Sequence, residues 1–155
     1  MKADKEYWKT LFAHPLAPND GDVRIIKNHM IKGTTLLLGC TKILIPLSDY
    51  QMDIDPWYEA DTVIKEDWRE NKIFFDNIIS DGALNLDTKL TQDILKMAYN
   101  CCNRLIVRYF NYKLPKMIVA ECFVDPNDMA FIPDAIIKKQ EYSFLVWNFN
   151  EKNWF

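Results

Sequence analysis

The chain has 155 residues, 49% of them hydrophobic and 14% aromatic, with only four glycines and a formal charge of −3. That length fits one domain with a proper core, and the acidic balance leans away from a protein that coats nucleic acid with clustered Lys and Arg, although a local basic patch leaves nucleic acid open as a partner. No apolar stretch approaches the roughly 20 residues that span a bilayer, and the opening MKADKEYWKT lacks the apolar centre of a signal peptide, so a cytoplasmic protein without membrane contact is expected. Cys40, Cys101, Cys102 and Cys122 show neither CxxC spacing nor the density of a disulfide framework. With only His14 and His29 beside them, they read as reduced thiols and no metal site is expected.

In chain order, residues 1–21 form an N-terminal arm or lid, closed by the turn-like run Asn19-Asp20-Gly21. Val23, Ile25, Ile26 and Met30 give a short amphipathic helix, with Asp22 as its N-cap and Gly33 as its stop. Buried or half-buried strands follow at residues 35–38, 50–54, 62–64 and 73–80. Residues 88–103 carry helical spacing through Leu90, Ile94, Leu95, Ala98 and Cys102, and 104–110 return to β-type residues. Beyond them lie a strand-like stretch at 118–124, a helix at 125–139 that opens Asp-Pro-Asn-Asp and ends in lysines, and an aromatic strand at 142–149. An exposed edge on that last strand needs cover, which makes a homo-oligomer one expectation.

Strands alternating with helices predict a single α/β domain on a mostly parallel sheet, with residues 22–110 as its binding core and 111–155 supplying further strands and a helix. Two connections are short: residues 42–48 contain Pro46, and 56–61 leave room for one helical turn at most. In open α/β sheets ligands sit outside the carboxyl ends of the strands. Those ends carry Gly39-Cys40-Thr41, Asp53-Ile54-Asp55, Glu66-Asp67-Trp68 and Ser80-Asp81-Gly82. A glycine lets backbone pass close to a ligand, an acid after the second strand can accept from both hydroxyls of a ribose, and an acid beside a tryptophan can frame a purine. Alternatively, each acid is a solvated loop end or a helix cap. Gly39-Cys40-Thr41-Lys42-Ile43-Leu44 lacks the second and third glycines of a dinucleotide fingerprint, so a pyrophosphate is poorly served. A nucleoside ligand without phosphates escapes that demand.

These residues resemble the class I S-adenosylmethionine-dependent methyltransferases, in particular a divergent group whose first strand ends Leu-Leu-Leu-Gly-x-Thr. Here that reads Leu36-Leu37-Leu38-Gly39-Cys40-Thr41, followed by Asp67-Trp68-Arg69 after the third strand and Phe75-Asp76 with Asp81-Gly82 on the fourth. The resemblance covers roughly residues 22–110 and is most specific over 67–82. It implies a Rossmann-like methyltransferase domain with shortened helices between the first three strands and S-adenosylmethionine as cofactor. On that basis Gly39, Cys40 and Thr41 line the methionine part, Asp53 holds the ribose in preference to Asp55, Asp67 and Trp68 flank the adenine, Ser80 and Asp81 complete the cofactor-binding set, and Asp81 begins the wall facing the methyl acceptor.

Methyl transfer is an in-line displacement at an activated carbon, so alignment carries most of the catalysis. A protonated acceptor also needs a base, for which Asp81 is the candidate, unless it anchors the cofactor's ammonium or caps a loop. Arg108 faces either an anionic acceptor or a structural ion pair, and Asn85 is a further polar group near the acceptor wall. Ser80-Asp81-Gly82-Ala83 replaces the Asn-Pro-Pro-Tyr type of motif that grips an exocyclic amine, which lowers amino-methylation of adenine in DNA. A small molecule, a protein or an RNA stays open as acceptor. A cofactor-binding module without transfer and an enzyme that consumes the cofactor are the competing functions.

Overall fold

The computed structural model describes residues 17–81, 88–110, 133–139 and 141–149, without the side chains of Thr88 and Phe110. Residues 1–16 of the arm expected over 1–21, residues 82–87 with Gly82 and Asn85, the stretch at 118–124 and residues 125–132 of the helix expected over 125–139 lie outside the described residues.

The chain enters through helix α1 (Asp20–His29). Its N-cap is Asn19 and not Asp22: the Asn19 side chain accepts from Asp22 N while Asp22 Oδ2 accepts from Asn19 N, both at 3.0 Å. Both residues are cap formers, and the reciprocal box uses one at N-cap and one at N3, which moves the helix start three residues upstream of the expected one. The helix ends at Met30 rather than at Gly33. Gly33, with φ +136°, instead turns the chain into the first strand.

Strands β1 (Thr35–Leu38), β2 (Tyr50–Met52), β3 (Val63–Ile64), β4 (Phe75–Asp81), β5 (Cys102–Phe110), β6 (Ala135–Lys138) and β7 (Tyr142–Asn148) form one sheet in the order β3-β2-β1-β4-β5-β7-β6. The pairs from β3 across to β5 are parallel, whereas β7 runs antiparallel to β5 and β6 antiparallel to β7. Helix α2 (Thr88–Cys101) links β4 to β5. Residues 42–47 form a 3-10 helix containing Pro46, no helix is described between β2 and β3, and three residues, Trp68–Glu70, make a 3-10 turn before β4. The shortened helices between the first three strands are therefore as expected.

Side-chain alternation along the strands builds two cores, one on each face. Leu36, Leu38, Ile78, Leu105 and Trp147 meet Ile94, Leu95 and Ala98 of α2. Leu37, Ile79, Ile106 and Phe144 meet Ile26 of α1 and Leu44 of the first 3-10 helix.

Two expectations about the C-terminal part change. Residues 135–138, read as the end of a helix, are strand β6, and their burial alternates with period two as Ala135 and Ile137 turn inward. The paired isoleucines against β7 outweigh the Lys138-Lys139 ending that suggested a helix terminus. The aromatic strand β7 is also not an edge: it pairs with β5 on one side and β6 on the other, which removes the exposed-edge argument for self-association.

Candidate functional site

Strand order reverses between β1 and β4, where a doubly wound sheet opens its ligand crevice. The register places Met52, Leu38, Ser80 and Val107 side by side. One residue further toward the carboxyl ends stand Asp53, Gly39, Asp81 and Arg108, with Asp81 directly opposite Arg108. The sheet thus gathers on one row four residues that lie far apart in sequence.

Gly39 has φ +96°, a conformation that suits a residue without a Cβ. Its N–H donates to the Met52 carbonyl at 2.7 Å. The same carbonyl accepts from Trp68 Nε1 at 2.5 Å, and a Cβ placed at Gly39 would touch the Trp68 ring at 4.0 Å. On the next residue, the Cys40 carbonyl accepts from Trp57 Nε1 at 2.7 Å. Trp57 had no place among the expected site residues. Its one sequence signal is its position after Asp55-Pro56, a dipeptide that favours a change of chain direction.

Asp53 is 6% exposed. Its Oδ1 accepts from Asp55 N at 3.1 Å, while Oδ2 is buried without a hydrogen-bond partner. Burial pushes its carboxyl above the usual carboxylate range and the nearby Asp55 charge adds to this, against the lowering effect of the Asp55 and Ile54 N–H groups. Ser80 Oγ, at the end of β4, is likewise buried without a partner. Buried polar atoms are nearly always satisfied, so an unpartnered carboxylate oxygen and an unpartnered hydroxyl at the carboxyl ends of β2 and β4, on either side of β1, fit a polar ligand.

Cys40 is fully buried, and desolvation with the Asp53 charge raises its thiol to about 12. At pH 8 only about one molecule in ten thousand carries the thiolate, so iodoacetamide should leave Cys40 unmodified in the native protein. Peptide mapping that finds a carboxamidomethyl group on Cys40 before unfolding would contradict this burial.

Asp81 and Arg108 form an ion pair, with the side chains 9% and 2% exposed. Arg108 Nε donates to Asp81 Oδ1, Nη2 donates to Oδ2 at 3.3 Å, and Thr41 Oγ1 also donates to Oδ2 at 3.3 Å. Of the two roles open to Arg108, the structural pair is the one present. The guanidinium lies over the Tyr142 ring, 4.8 Å from its centroid. Tyr142 in turn donates its hydroxyl proton to Asp22, which also accepts from Lys139 Nζ. A continuous polar chain thereby joins α1 to the strand-end row.

Asp67 is placed differently from the other acids. It caps the Trp68–Glu70 turn, accepting from Arg69 N at 2.9 Å, and pairs with the Arg69 side chain. The Arg69 guanidinium holds its carboxyl below the usual range. Its oxygens are thus engaged by Arg69, whereas Trp68 next to it turns inward onto Gly39.

A groove of about 490 Å3 opens elsewhere, lined among others by Arg69, Lys72, Lys96 and Cys101. Its residues precede β4 and end α2, at the amino ends of the strands, so it is separate from the strand-end row. Among the described residues, no group of three or more His, Cys, Asp or Glu could hold a metal ion, and no helix is long and apolar enough to cross a membrane.

The sequence matches no family model, and no curated protein matches it. Solved structures do match. The chain is similar to magnesium protoporphyrin IX methyltransferase from Synechocystis PCC 6803, crystallised with bound SAM, at 12% identity and a TM-score of 0.53 over 92% of this chain and 77% of that one. It is similar to a ribosomal protein L11 methylase from Lactobacillus delbrueckii subsp. bulgaricus at 14% identity and a TM-score of 0.52, over 80% and 74% of the two chains. The fold is that of the Rossmann-like methyltransferases. The chain is also similar to protein PH1948 of Pyrococcus horikoshii, over 93% of this chain and 96% of that one, at 9% identity and a TM-score of 0.55. At these identities the likeness speaks to the fold.

Proposed function

We propose that this domain binds S-adenosylmethionine across the strand-end row and transfers its methyl group to an acceptor. The observation that carries the proposal is the buried, unpartnered Asp53 Oδ2 beside the left-handed Gly39. Two vicinal ribose hydroxyls would supply the missing donors, and the Gly39 backbone leaves room for the methionine part next to Cys40 and Thr41. Trp68 offers an apolar ring to the adenine, and Ser80 Oγ adds a second polar contact. The Synechocystis enzyme was also crystallised with SAH, so ligands of this chemistry are accommodated on the same fold.

The cofactor, when bound, supplies a methyl group already activated on a sulfonium sulfur. The chain's own task is then alignment and the exclusion of water. Asp81, gripped by Arg108 and Thr41, contributes a fixed carboxylate to the site, and removal of an acceptor proton by it requires loosening that grip. This occupancy is what supports the competing function, a cofactor-binding module without transfer. A small molecule, a protein or an RNA serves equally well as acceptor on these grounds. Chromatographic detection of S-adenosylhomocysteine formed with a candidate acceptor separates the enzyme from the module.

Calorimetric titration with S-adenosylhomocysteine tests the site. Asp53→Ala should lose about 1.5–3 kcal/mol of binding, a roughly ten- to hundredfold weaker Kd. The pH dependence has a definite sign. An ionised Asp53 accepts hydrogen bonds from both hydroxyls, and its free-state carboxyl titrates above the usual range, so affinity falls as pH drops through that raised value and binding there releases a proton. Asp53→Asn should flatten the dependence. An Asp53→Ala protein that binds as tightly as the parent removes the basis of the ribose assignment.

A further inference from the structure

The loop after β1 has one glycine where phosphate-binding loops carry several, and no regular α-helix follows it. Something else must hold its shape. Two tryptophans from separate connections reach it: Trp68 Nε1 bonds the Met52 carbonyl that also takes Gly39 N–H, and Trp57 Nε1 bonds the Cys40 carbonyl. Trp57 comes from the β2–β3 connection, where no helix is described, and Trp68 from the short turn after β3. The Trp68 ring lies at contact distance from the space a Gly39 side chain would take and packs against the α2-side core. Trp57 is only half-buried and stacks at a tilt on Tyr58, with ring centroids 5.7 Å apart.

We infer that Trp57 and Trp68 form an indole clamp that sets the Gly39–Thr41 loop in its binding conformation, with Trp57 as a positioning residue for the methionine end of the nucleoside ligand. This inference rests on the cofactor proposal for the identity of the ligand, while the clamp itself is a property of the free protein. An indole N–H donates and does not accept, so each bond fixes a carbonyl direction and leaves the loop's remaining groups to the ligand. Fixing the loop before binding lowers the ordering cost at the moment of binding. The shortened connections thus take over, through two side chains, the role a glycine-rich turn and helix would have.

Trp57→Phe keeps a ring and removes the N–H, and Trp57→His restores a donor. Hydrogen exchange of the ligand-free protein and calorimetry with S-adenosylhomocysteine and with adenosine together test the clamp. In Trp57→Phe the amides of residues 39–41 should exchange about tenfold faster, in line with one lost hydrogen bond. The Kd for S-adenosylhomocysteine should rise about five- to tenfold, the Kd for adenosine should change less than about twofold, and Trp57→His should recover part of both losses. Unchanged exchange in Trp57→Phe overturns the clamp. Equal weakening toward both ligands overturns the assignment of Trp57 to the methionine end. A parent protein that binds neither ligand overturns the cofactor proposal, and the exchange comparison still decides whether the clamp exists.

Discussion

Replacing Gly33 by alanine should cost about 3 kcal/mol of folding stability, from backbone strain together with a lost hydrogen bond. Gly33 sits at φ +136°, where an L side chain is strained whatever the space. The space is also taken: an added Cβ would overlap the Asp76 carboxyl group and come within 2.8 Å of its Cβ. Asp76 cannot withdraw freely, because its Oδ2 accepts from Thr34 N at 2.8 Å and helps set the start of β1. In a domain of this size the loss corresponds to a fall of roughly 6–12 °C in Tm. Urea unfolding of Gly33→Ala, of Asp76→Gly and of the double variant separates the clash with Asp76 from the backbone strain. On the Asp76→Gly background Gly33→Ala should cost less than on the parent, since the clash is relieved and the strain stays. A single variant within about 0.5 kcal/mol of the parent would contradict the turn geometry.

The second large effect concerns the Asp81–Arg108 pair. Asp81→Ala should destabilise the fold by about 3–5 kcal/mol, because it takes away the carboxylate facing a buried guanidinium. The Tyr142 ring remains over Arg108, and a cation–π contact of this kind offsets on the order of 1 kcal/mol. Replacing both residues, as Asp81→Leu with Arg108→Met, should be far milder than either single change, since no charge is left behind. Equilibrium unfolding of the parent, Asp81→Leu, Arg108→Met and the double variant gives the coupling energy directly, provided the urea dependence keeps its slope. Additive single effects would mean that the two groups do not act as a pair.

The legible parts of the fold were those with continuous apolar runs. Thr35–Leu38 and Phe75–Asp81 are buried on both faces, and a strand of that kind has little else it can be. Asp20–His29 was legible as a helix but not at its first residue, because Asn19 and Asp22 are both cap formers and the capping box engages both. Residues 135–138 were misread because the lysines after them imitate a helix end, whereas β7 supplies a pairing partner that no local pattern shows.

The strand-end row that makes up the candidate site was legible to the same degree and for the same reason. Gly39 and Asp53 follow strands directly, so the rule of strand ends finds them. Asp67 follows the same rule but faces Arg69 two residues on, a local cap that propensity alone favours equally. The bond between Trp57 and the Cys40 carbonyl and the pairing of Asp81 with Arg108 depend on register across the sheet. Chain separations of 17 and 27 residues hide them from any local pattern.

The central claim is that a nucleoside cofactor lies along the row Asp53–Gly39–Asp81. A crystal structure of the protein soaked with S-adenosylhomocysteine tests it most directly. The account predicts ribose hydroxyls within hydrogen-bond distance of both Asp53 oxygens, the methionine part against Gly39 and Cys40, and the indole bonds of Trp57 and Trp68 unchanged. Ligand bound instead in the groove of Arg69, Lys72 and Lys96, with Asp53 Oδ2 still bare, would contradict it.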